Sequence, residues 1–97
     1  MNISFSKSAI EDLKGIKAYY LEQGVPQIGK DFVVAIIEHI ETLTTHPDIG
    51  RIVPEFNDKL IRELIYPPFR VVYLRDNKSI KIIRVWRSER LLTLADK

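Results

Sequence analysis

The sequence predicts an α+β fold in which a helical hairpin packs on one face of a small antiparallel sheet. Apolar residues recur at helical spacing in the first half of the chain, and three segments rich in β-branched and aromatic residues follow in the second half. Pro, Gly and Asn lie at the boundaries between these segments. The predicted order is β-α-α-β-β-β. No linker or repeat divides residues 1–97, so one domain is expected.

The first two elements are a short strand and a helix. The segment NISFS places Ile3 and Phe5 on one face of a strand. Ser8 and Glu11 have the spacing of a capping box, which predicts that the helix begins there, and Gly24 suits its end. The apolar stripe of this helix consists of Ile10, Leu13, Ile16 and Tyr20.

The second helix is predicted to begin at Pro26, because proline fits the first turn of a helix. It is predicted to end at His46, because the residue before Pro47 is disfavoured in the helical conformation. Its stripe consists of Ile28, Phe32, Val33, Ile36, Ile40 and Leu43. The two helices are therefore expected to form an antiparallel hairpin with a tight connection.

A loop, HPDIGRIVPEFND, separates the helices from three predicted strands, KLIRELIY, FRVVYLR and SIKIIRVW. If the turn at Asn77 is tight, Tyr73 lies opposite Ile82 and Arg70 lies opposite Val85. The face predicted to contact the helices carries Phe69, Val71, Tyr73, Ile80, Ile82 and Trp86. The other face carries Arg70, Val72, Leu74, Ile83, Val85 and Arg87.

This register makes Arg70 and Arg87 diagonal neighbours, close enough for two guanidinium groups to bind one phosphate or carboxylate. A short turn at Pro67-Pro68 would place Glu63 opposite Val72, also diagonal to Arg70, whereas a one-residue slip would place Glu63 on the other face. Two interpretations of Arg70 remain open at this point. It forms an anion-binding clamp with Arg87, or it pairs with Glu63 and has a structural role.

Charge is distributed unevenly along the chain. Residues 59–90 hold nine of the fifteen Lys and Arg residues but three of the thirteen acidic ones, which indicates an anionic partner or a solvated basic strand region. No membrane span or signal segment is recognisable, and the lack of cysteine fits a cytoplasmic protein. No residue cluster indicates a cofactor or a metal site.

Three segments, FSKSAIEDLKGIKAYY, HPDIGR and IRELIYPPFRVVYLRDNKSIKIIRVWRSERLL, together resemble the ParE/RelE superfamily of toxins from bacterial type II toxin–antitoxin systems. The resemblance runs from Ile3 to about Leu94. It implies the fold already predicted, and it implies a cognate antitoxin whose C-terminal segment wraps the toxin in a hetero-oligomer. It also divides into two functional branches.

RelE-like members are ribosome-dependent endonucleases that cut mRNA. For this branch, the resemblance implies that Arg70 holds the phosphate, that Arg87 and Arg62 assist, and that Glu63 is the candidate base. Leu94 stands near the position where many of these nucleases have tyrosine, and an arginine at position 87 is a poor general acid or base.

ParE-like members inhibit DNA gyrase without a nuclease centre, and the first helix and the HPDIGR loop favour this branch. Here the expected target-binding residues are Arg84, Arg87 and Arg90 in the basic C-terminal region. We therefore predict a ParE-like inhibitor of DNA gyrase, with a RelE-like mRNA endonuclease as the alternative.

Overall fold

The computed structural model describes residues 1–88 of the 97-residue chain. The elements, in chain order, are β1 (Asn2–Phe5), α1 (Lys7–Glu22), α2 (Pro26–Glu41), a 3₁₀ turn (Thr42–Thr44), β2 (Arg51–Ile52), β3 (Ile61–Tyr66), β4 (Phe69–Arg75) and β5 (Ser79–Arg87). The strand order is β1-β5-β4-β3-β2. The α+β prediction is confirmed, but the sheet is mixed, because β1 joins β5 in parallel. Alternation along a strand shows which face is apolar and carries no information about strand direction.

Helix α1 begins two residues earlier than the predicted capping box. Ser6 is the N-cap, and its Oγ accepts a hydrogen bond from the backbone N–H of Ala9 at 3.0 Å. The same hydroxyl donates to the carbonyl of Ile83 at 2.9 Å. The position of the N-cap at Ser6 therefore depends on a contact with β5, which is distant in sequence and cannot be predicted from a local pattern. Ile10, predicted in the apolar stripe, is 43% exposed, and Ala9 is buried instead.

Helix α2 begins at Pro26 as predicted but ends at Glu41, before the predicted end at His46. The side-chain hydroxyl of Thr42 donates to the carbonyl of His39, and that of Thr44 donates to the carbonyl of Glu41. Such local bonds compete with helical ones and convert the last turn to a 3₁₀ turn. Within residues 1–88, no helix is long and apolar enough to cross a membrane.

The sheet has a core on each face. The larger core lies between the helices and the sheet, where Leu13 and Ile36 pack with Val71 and Ile82. The smaller one lies on the opposite face and consists of Val53, Val72 and Trp86. The segment HPDIGRIVPEFND, which was predicted to be entirely loop, covers this smaller core. It forms the short strand β2 and then turns back after Val53 across this face. The loop-covered face is the face with this smaller core.

The pairing of β4 with β5 changes register in the middle of the strands. Tyr73 lies opposite Ile82 as predicted, but Val72 lies opposite Arg84, so Ile83 is an extra residue in β5. Beyond this β-bulge every partner is displaced by one position, and Arg70 lies opposite Trp86 rather than Val85. Since neighbouring residues of a strand point to opposite faces, Val85 joins the helix-side core and Trp86 joins the loop-covered face, the reverse of the prediction.

Candidate functional site

The centre of the loop-covered face is an ion pair between β3 and β4. Glu63 lies opposite Val72, as the short turn at Pro67-Pro68 predicted, and its side chain is fully buried. Nε of Arg70 donates to Oε1 of Glu63 at 2.7 Å. Nε of Arg51, the partner of Glu63 on β2, donates to Oε2 at 2.6 Å. One buried carboxylate therefore joins cations from two neighbouring strands.

Glu55, in the covering loop, binds the outer side of Arg70. The two terminal nitrogens of the Arg70 guanidinium each lie 3.1 Å from an oxygen of this carboxylate, which is a bidentate arrangement. The hydrogen bonds to Glu55 are the main cause that raises the pKa of Arg70. Burial opposes this rise, and Glu63 adds to it through a hydrogen bond and its charge. Arg70 therefore stays charged, and its guanidinium holds the loop against the sheet through Glu55.

The environment of Arg70 supports the structural interpretation of this arginine. Its side chain is 8% exposed, and it lies between two carboxylates on its own face. Together with Arg51 these groups form a neutral set of two cations and two anions, which we call the Arg70 network. An incoming phosphate would have to displace Glu55 to contact the guanidinium in the same bidentate geometry.

Arg62 lies on the other face, with the helices. It is the cross-strand partner of Tyr73, and its Nη1 donates to the carbonyl of Gly50 at 3.0 Å. The hydroxyl of Tyr73 accepts from the N–H of Gly50 and donates to the carbonyl of Pro47. Arg75 holds the same loop through Asp48. The HPDIGR motif is thus the segment that two strands anchor through these hydrogen bonds.

Arg87 is also on the helix side. It is the cross-strand partner of Phe69, and its guanidinium carbon lies 5.7 Å from the centre of the Phe69 ring. Arg70 is on the opposite face, so the predicted clamp of Arg70 and Arg87 is wrong. The extra residue in β5 is the physical cause, since a one-residue shift moves each later side chain to the other face.

The four residues expected for a nuclease centre are therefore divided between two faces. Arg70 and Glu63 form a buried ion pair on the loop-covered face, whereas Arg62 and Arg87 lie on the helix side. Arg62 is opposite Tyr73 and Arg87 is opposite Phe69, which separates them by about 13 Å along the strands. These four side chains do not converge on one reacting atom.

Arg84 forms a bidentate pair with Asp12 of α1, at 2.8 Å and 3.0 Å. Its guanidinium carbon also lies 4.2 Å from the centre of the Trp86 ring, in cation–π geometry. Asp12 accepts a third bond, from the backbone N–H of Val85, beyond the end of the β1 pairing. Of the three expected target-binding arginines, Arg84 is held by α1, Arg87 is exposed, and Arg90 lies outside the described residues.

Acidic residues that precede position 59 neutralise part of the basic region. Asp12 pairs with Arg84, Asp48 contacts Arg75, and Glu55 pairs with Arg70. The charge asymmetry of the sequence is consequently smaller on the surface of the folded protein, where three lysines of the basic region are exposed: Lys59, Lys78 and Lys81.

Sequence reasoning missed Arg51, Glu55 and Asp12 as partners of the arginines. Nothing in the loop or in α1 distinguishes these residues from other solvated charges. The bulge, in contrast, left a signal in the sequence: strict alternation from Ile82 to Trp86 also puts Arg84, midway between them, on the helix-facing side, where a cation is out of place. Ile82 and Ile83 mark the position where the phase of alternation changes.

The fold and the site define a small α+β protein with a helical hairpin on one face of a five-stranded sheet. Within residues 1–88, no three His, Asp or Glu side chains are grouped so that they could hold a metal ion. The model of the ParE toxin family, described as ParE toxin of type II toxin-antitoxin system, parDE, matches residues 3–92, so the chain belongs to this family.

A solved structure supports the same assignment. The chain is similar to one from the chromosomal ParDE TA system from P. aeruginosa, with a TM-score of 0.75 and 25% sequence identity. The match covers 90% of this chain and 95% of the other. No curated protein sequence matches the chain.

Proposed function

We propose that this chain inhibits bacterial DNA gyrase as the toxin of a type II toxin–antitoxin pair and that a cognate antitoxin encoded beside it neutralises it. Membership of the ParE toxin family supports the general role. The observation that carries the choice of target is the state of Arg70. Its guanidinium is 8% exposed and held by Glu63 and Glu55, which favours a structural role over phosphate binding.

The geometry of Glu63 supports the same choice. A general base must come within hydrogen-bonding reach of the proton that it removes. The Glu63 carboxylate is fully buried and accepts from Arg51 and Arg70, so a bound RNA hydroxyl has no path to it in this conformation. An inhibitor that acts by binding does not require such a base.

The antitoxin would supply negative charge and apolar side chains. Exposed lysines and Arg87 give the surface cations that an acidic segment can approach. Tyr19 of α1 is 51% exposed and lines a groove on the helix side together with Phe69 and Arg87. A disordered antitoxin segment that folds over these residues would bury apolar surface and neutralise charge together.

The test compares two targets with one preparation of the protein made by cell-free synthesis. Supercoiling of relaxed plasmid by purified gyrase is measured beside the integrity of an mRNA on translating ribosomes. We expect supercoiling to fall and the mRNA to stay intact. Cleavage of the mRNA with unchanged supercoiling would replace this proposal with the endonuclease alternative.

The antitoxin is tested in the same assay. Addition of the protein encoded by the adjoining reading frame should restore supercoiling in proportion to its concentration. A matched control with an antitoxin whose C-terminal segment is removed should not restore it. Restoration by the truncated antitoxin would contradict neutralisation through that segment.

A further inference from the structure

Three exposed aliphatic residues lie near Arg62 at the edge of the sheet. Ile52 belongs to the edge strand β2 and is the cross-strand partner of Arg62, so the two residues share the helix side of the sheet. Ile52 is 37% exposed, Ile49 is 60% exposed and Leu60 is 53% exposed. Ile49 precedes Gly50, whose carbonyl binds Arg62, and Leu60 lies two residues before Arg62. We call Ile49, Ile52 and Leu60 the β2-edge patch.

Two guanidinium groups beside this patch share one carboxylate of the described residues. Nε of Arg75 donates to Oδ1 of Asp48 at 2.7 Å, and Nη2 of Arg75 lies 3.4 Å from Oδ2. Nε of Arg62 lies 3.7 Å from the same Oδ1, which is too far for a hydrogen bond. Asp48 therefore binds Arg75 directly, and Arg62 has only the longer ion pair.

The hydrogen-bonding capacity of Arg62 is largely unused. Its side chain is 21% exposed, and within residues 1–88 its guanidinium makes one hydrogen bond, from Nη1 to the carbonyl of Gly50. Its Nε is buried without an acceptor among these residues. A guanidinium has five N–H donors, and buried polar groups are ordinarily paired. The Arg70 network has two carboxylates for two cations, whereas Arg62 and Arg75 have one, so a second carboxylate would complete this site.

The chemistry of the missing group follows from its surroundings. Asp58 and Asp76 are near in sequence, but their Oδ1 atoms accept the backbone N–H groups of Leu60 and Lys78. A second copy of this chain would bring the same excess of arginine over carboxylate, so it offers no complementary charge. An acidic segment with aliphatic residues beside a carboxylate matches both the patch and the two cations.

We propose that the β2-edge patch binds such an acidic segment of the antitoxin, with one carboxylate at Arg62 and Arg75 and its aliphatic neighbours against the patch. The choice of the antitoxin as the source of this segment rests on the function proposed above. In the free protein Asp48 takes the place of this carboxylate at Arg75. The Asp48 side chain is 58% exposed, so it can move aside or share the two cations when the segment binds.

The apolar half of the site is tested with the double variant Ile49→Ser and Leu60→Ser. The matched control is Ile10→Ser with Val34→Ser, two aliphatic residues of α1 and α2 that are 43% and 56% exposed. Biolayer interferometry measures the Kd of each full-length variant for the full-length protein encoded by the adjoining reading frame. We expect the patch variant to raise the Kd about tenfold and the control to raise it by less than about twofold. Equal effects of the two double variants overturn the proposal.

The charged half is tested by the sign of two effects. Asp48→Asn removes the competing carboxylate and should tighten antitoxin binding by about threefold, whereas Arg62→Gln should weaken it by about tenfold. If both residues have only a structural role, binding is weaker or unchanged in both variants, and that result overturns the carboxylate site. Circular dichroism checks the fold of each variant, and Arg75→Gln replaces Arg62→Gln if the latter does not fold.

Gyrase inhibition by the same variants separates this inference from the proposed function. The patch adjoins Arg75, at the opposite end of β4 from the pair of Phe69 and Arg87, so its variants should still inhibit supercoiling. Variants that keep their affinity for the antitoxin but no longer inhibit supercoiling would assign the patch to gyrase and overturn the proposal. The parent protein tests the proposed function, and the variants test the patch, because the binding comparison does not require gyrase.

Discussion

Nε and Nη2 of Arg70 both lie 2.7 Å from Oε1 of Glu63, and the two residues are diagonal neighbours on β4 and β3. The Glu63 side chain is fully buried and that of Arg70 is 8% exposed. Removal of one member leaves the other as a buried charge with fewer partners, and such losses are far larger than those of surface ion pairs. The stability of the loop-covered face therefore depends on this pair.

We expect Arg70→Ala to lower the free energy of unfolding by about 3 kcal/mol, because Glu63 loses a buried partner and Glu55 loses its bidentate contact with β4. The measurement is urea unfolding followed by circular dichroism. The matched control is Arg51→Ala, which removes the other partner of Glu63. The Arg51 side chain is 62% exposed, so this substitution should lower the free energy of unfolding by no more than about 1 kcal/mol.

The apolar double variant distinguishes a structural pair from a functional arginine. Arg70→Met with Glu63→Leu should recover most of the lost stability, since apolar residues of similar volume often replace a buried ion pair without loss. Gyrase inhibition should recover with it. A stable double variant without activity would show that Arg70 contacts the target, contrary to the structural role assigned here.

Two glycines should respond in opposite directions to alanine. A Cβ at Gly50 would lie 2.5 Å from the hydroxyl of Tyr73 and 2.7 Å from the carbonyl of Glu63, so Gly50→Ala should destabilise the protein by about 1–3 kcal/mol. Gly15→Ala, in the interior of α1 with open space around it, should stabilise the protein by about 0.5–1 kcal/mol. Thermal unfolding of both variants measures the difference, and equal shifts would contradict the packing at Gly50.

Tyr73 should make stability fall at alkaline pH. Burial is the main cause that raises its pKa above the ordinary value, so the folded state retains a proton that the unfolded state loses above about pH 10. In that range the unfolded state binds fewer protons, and the free energy of unfolding therefore decreases as pH rises. Below pH 10 this residue contributes no slope.

The matched variant is Tyr73→Phe. It should lose about 1–3 kcal/mol at neutral pH, because the buried N–H of Gly50 and the carbonyl of Pro47 lose the hydroxyl. It should also show a weaker decrease between pH 9 and pH 11 than the parent protein. Parallel curves for the two proteins in urea unfolding would rule out Tyr73 as the titrating group.

Asp12 should matter more for stability than Arg84. Asp12→Ala removes the bidentate pair and also the acceptor for the N–H of Val85, which predicts a loss of about 2 kcal/mol. Arg84→Ala removes the pair but leaves that N–H bonded, and the arginine side chain is 35% exposed, so about 1 kcal/mol is expected. Chemical unfolding of the two single variants tests this order, and the reverse order would contradict the role given to the N–H of Val85.

Among the expected target-binding arginines that the structure describes, Arg87 is the candidate for a contact with gyrase, because it is exposed. Reversing its charge should not disturb the core. Arg87→Glu should raise the concentration needed for half-inhibition of supercoiling by about five- to tenfold, as expected for a charge at the rim of an interface. The control is Lys78→Glu, in the turn at the other end of β5. Equal effects of the two reversals would indicate a response to net charge alone.

The sequence by itself determined the class of fold. Each of α1 and α2 has an apolar stripe, and the alternation in β3–β5 gives the sheet an apolar face. These surfaces must be buried, and packing a helical hairpin on the sheet buries them together. A short turn at Pro67-Pro68 was one of two registers that the sequence allowed, and the observed pairing of Glu63 with Val72 corresponds to it. These features depend on residues close together in the chain.

The tertiary structure alone decided which arginines share a surface. One extra residue at Ile83 separates Arg70 from Arg87, and the carboxylates that hold Arg70 and Arg84 come from Glu55 and Asp12. Local pattern does not encode these contacts, because long charged side chains reach partners that are distant in sequence. The buried Glu63 carboxylate then holds Arg70 in the sheet, and the charge that seemed available for a ligand is bound within the fold.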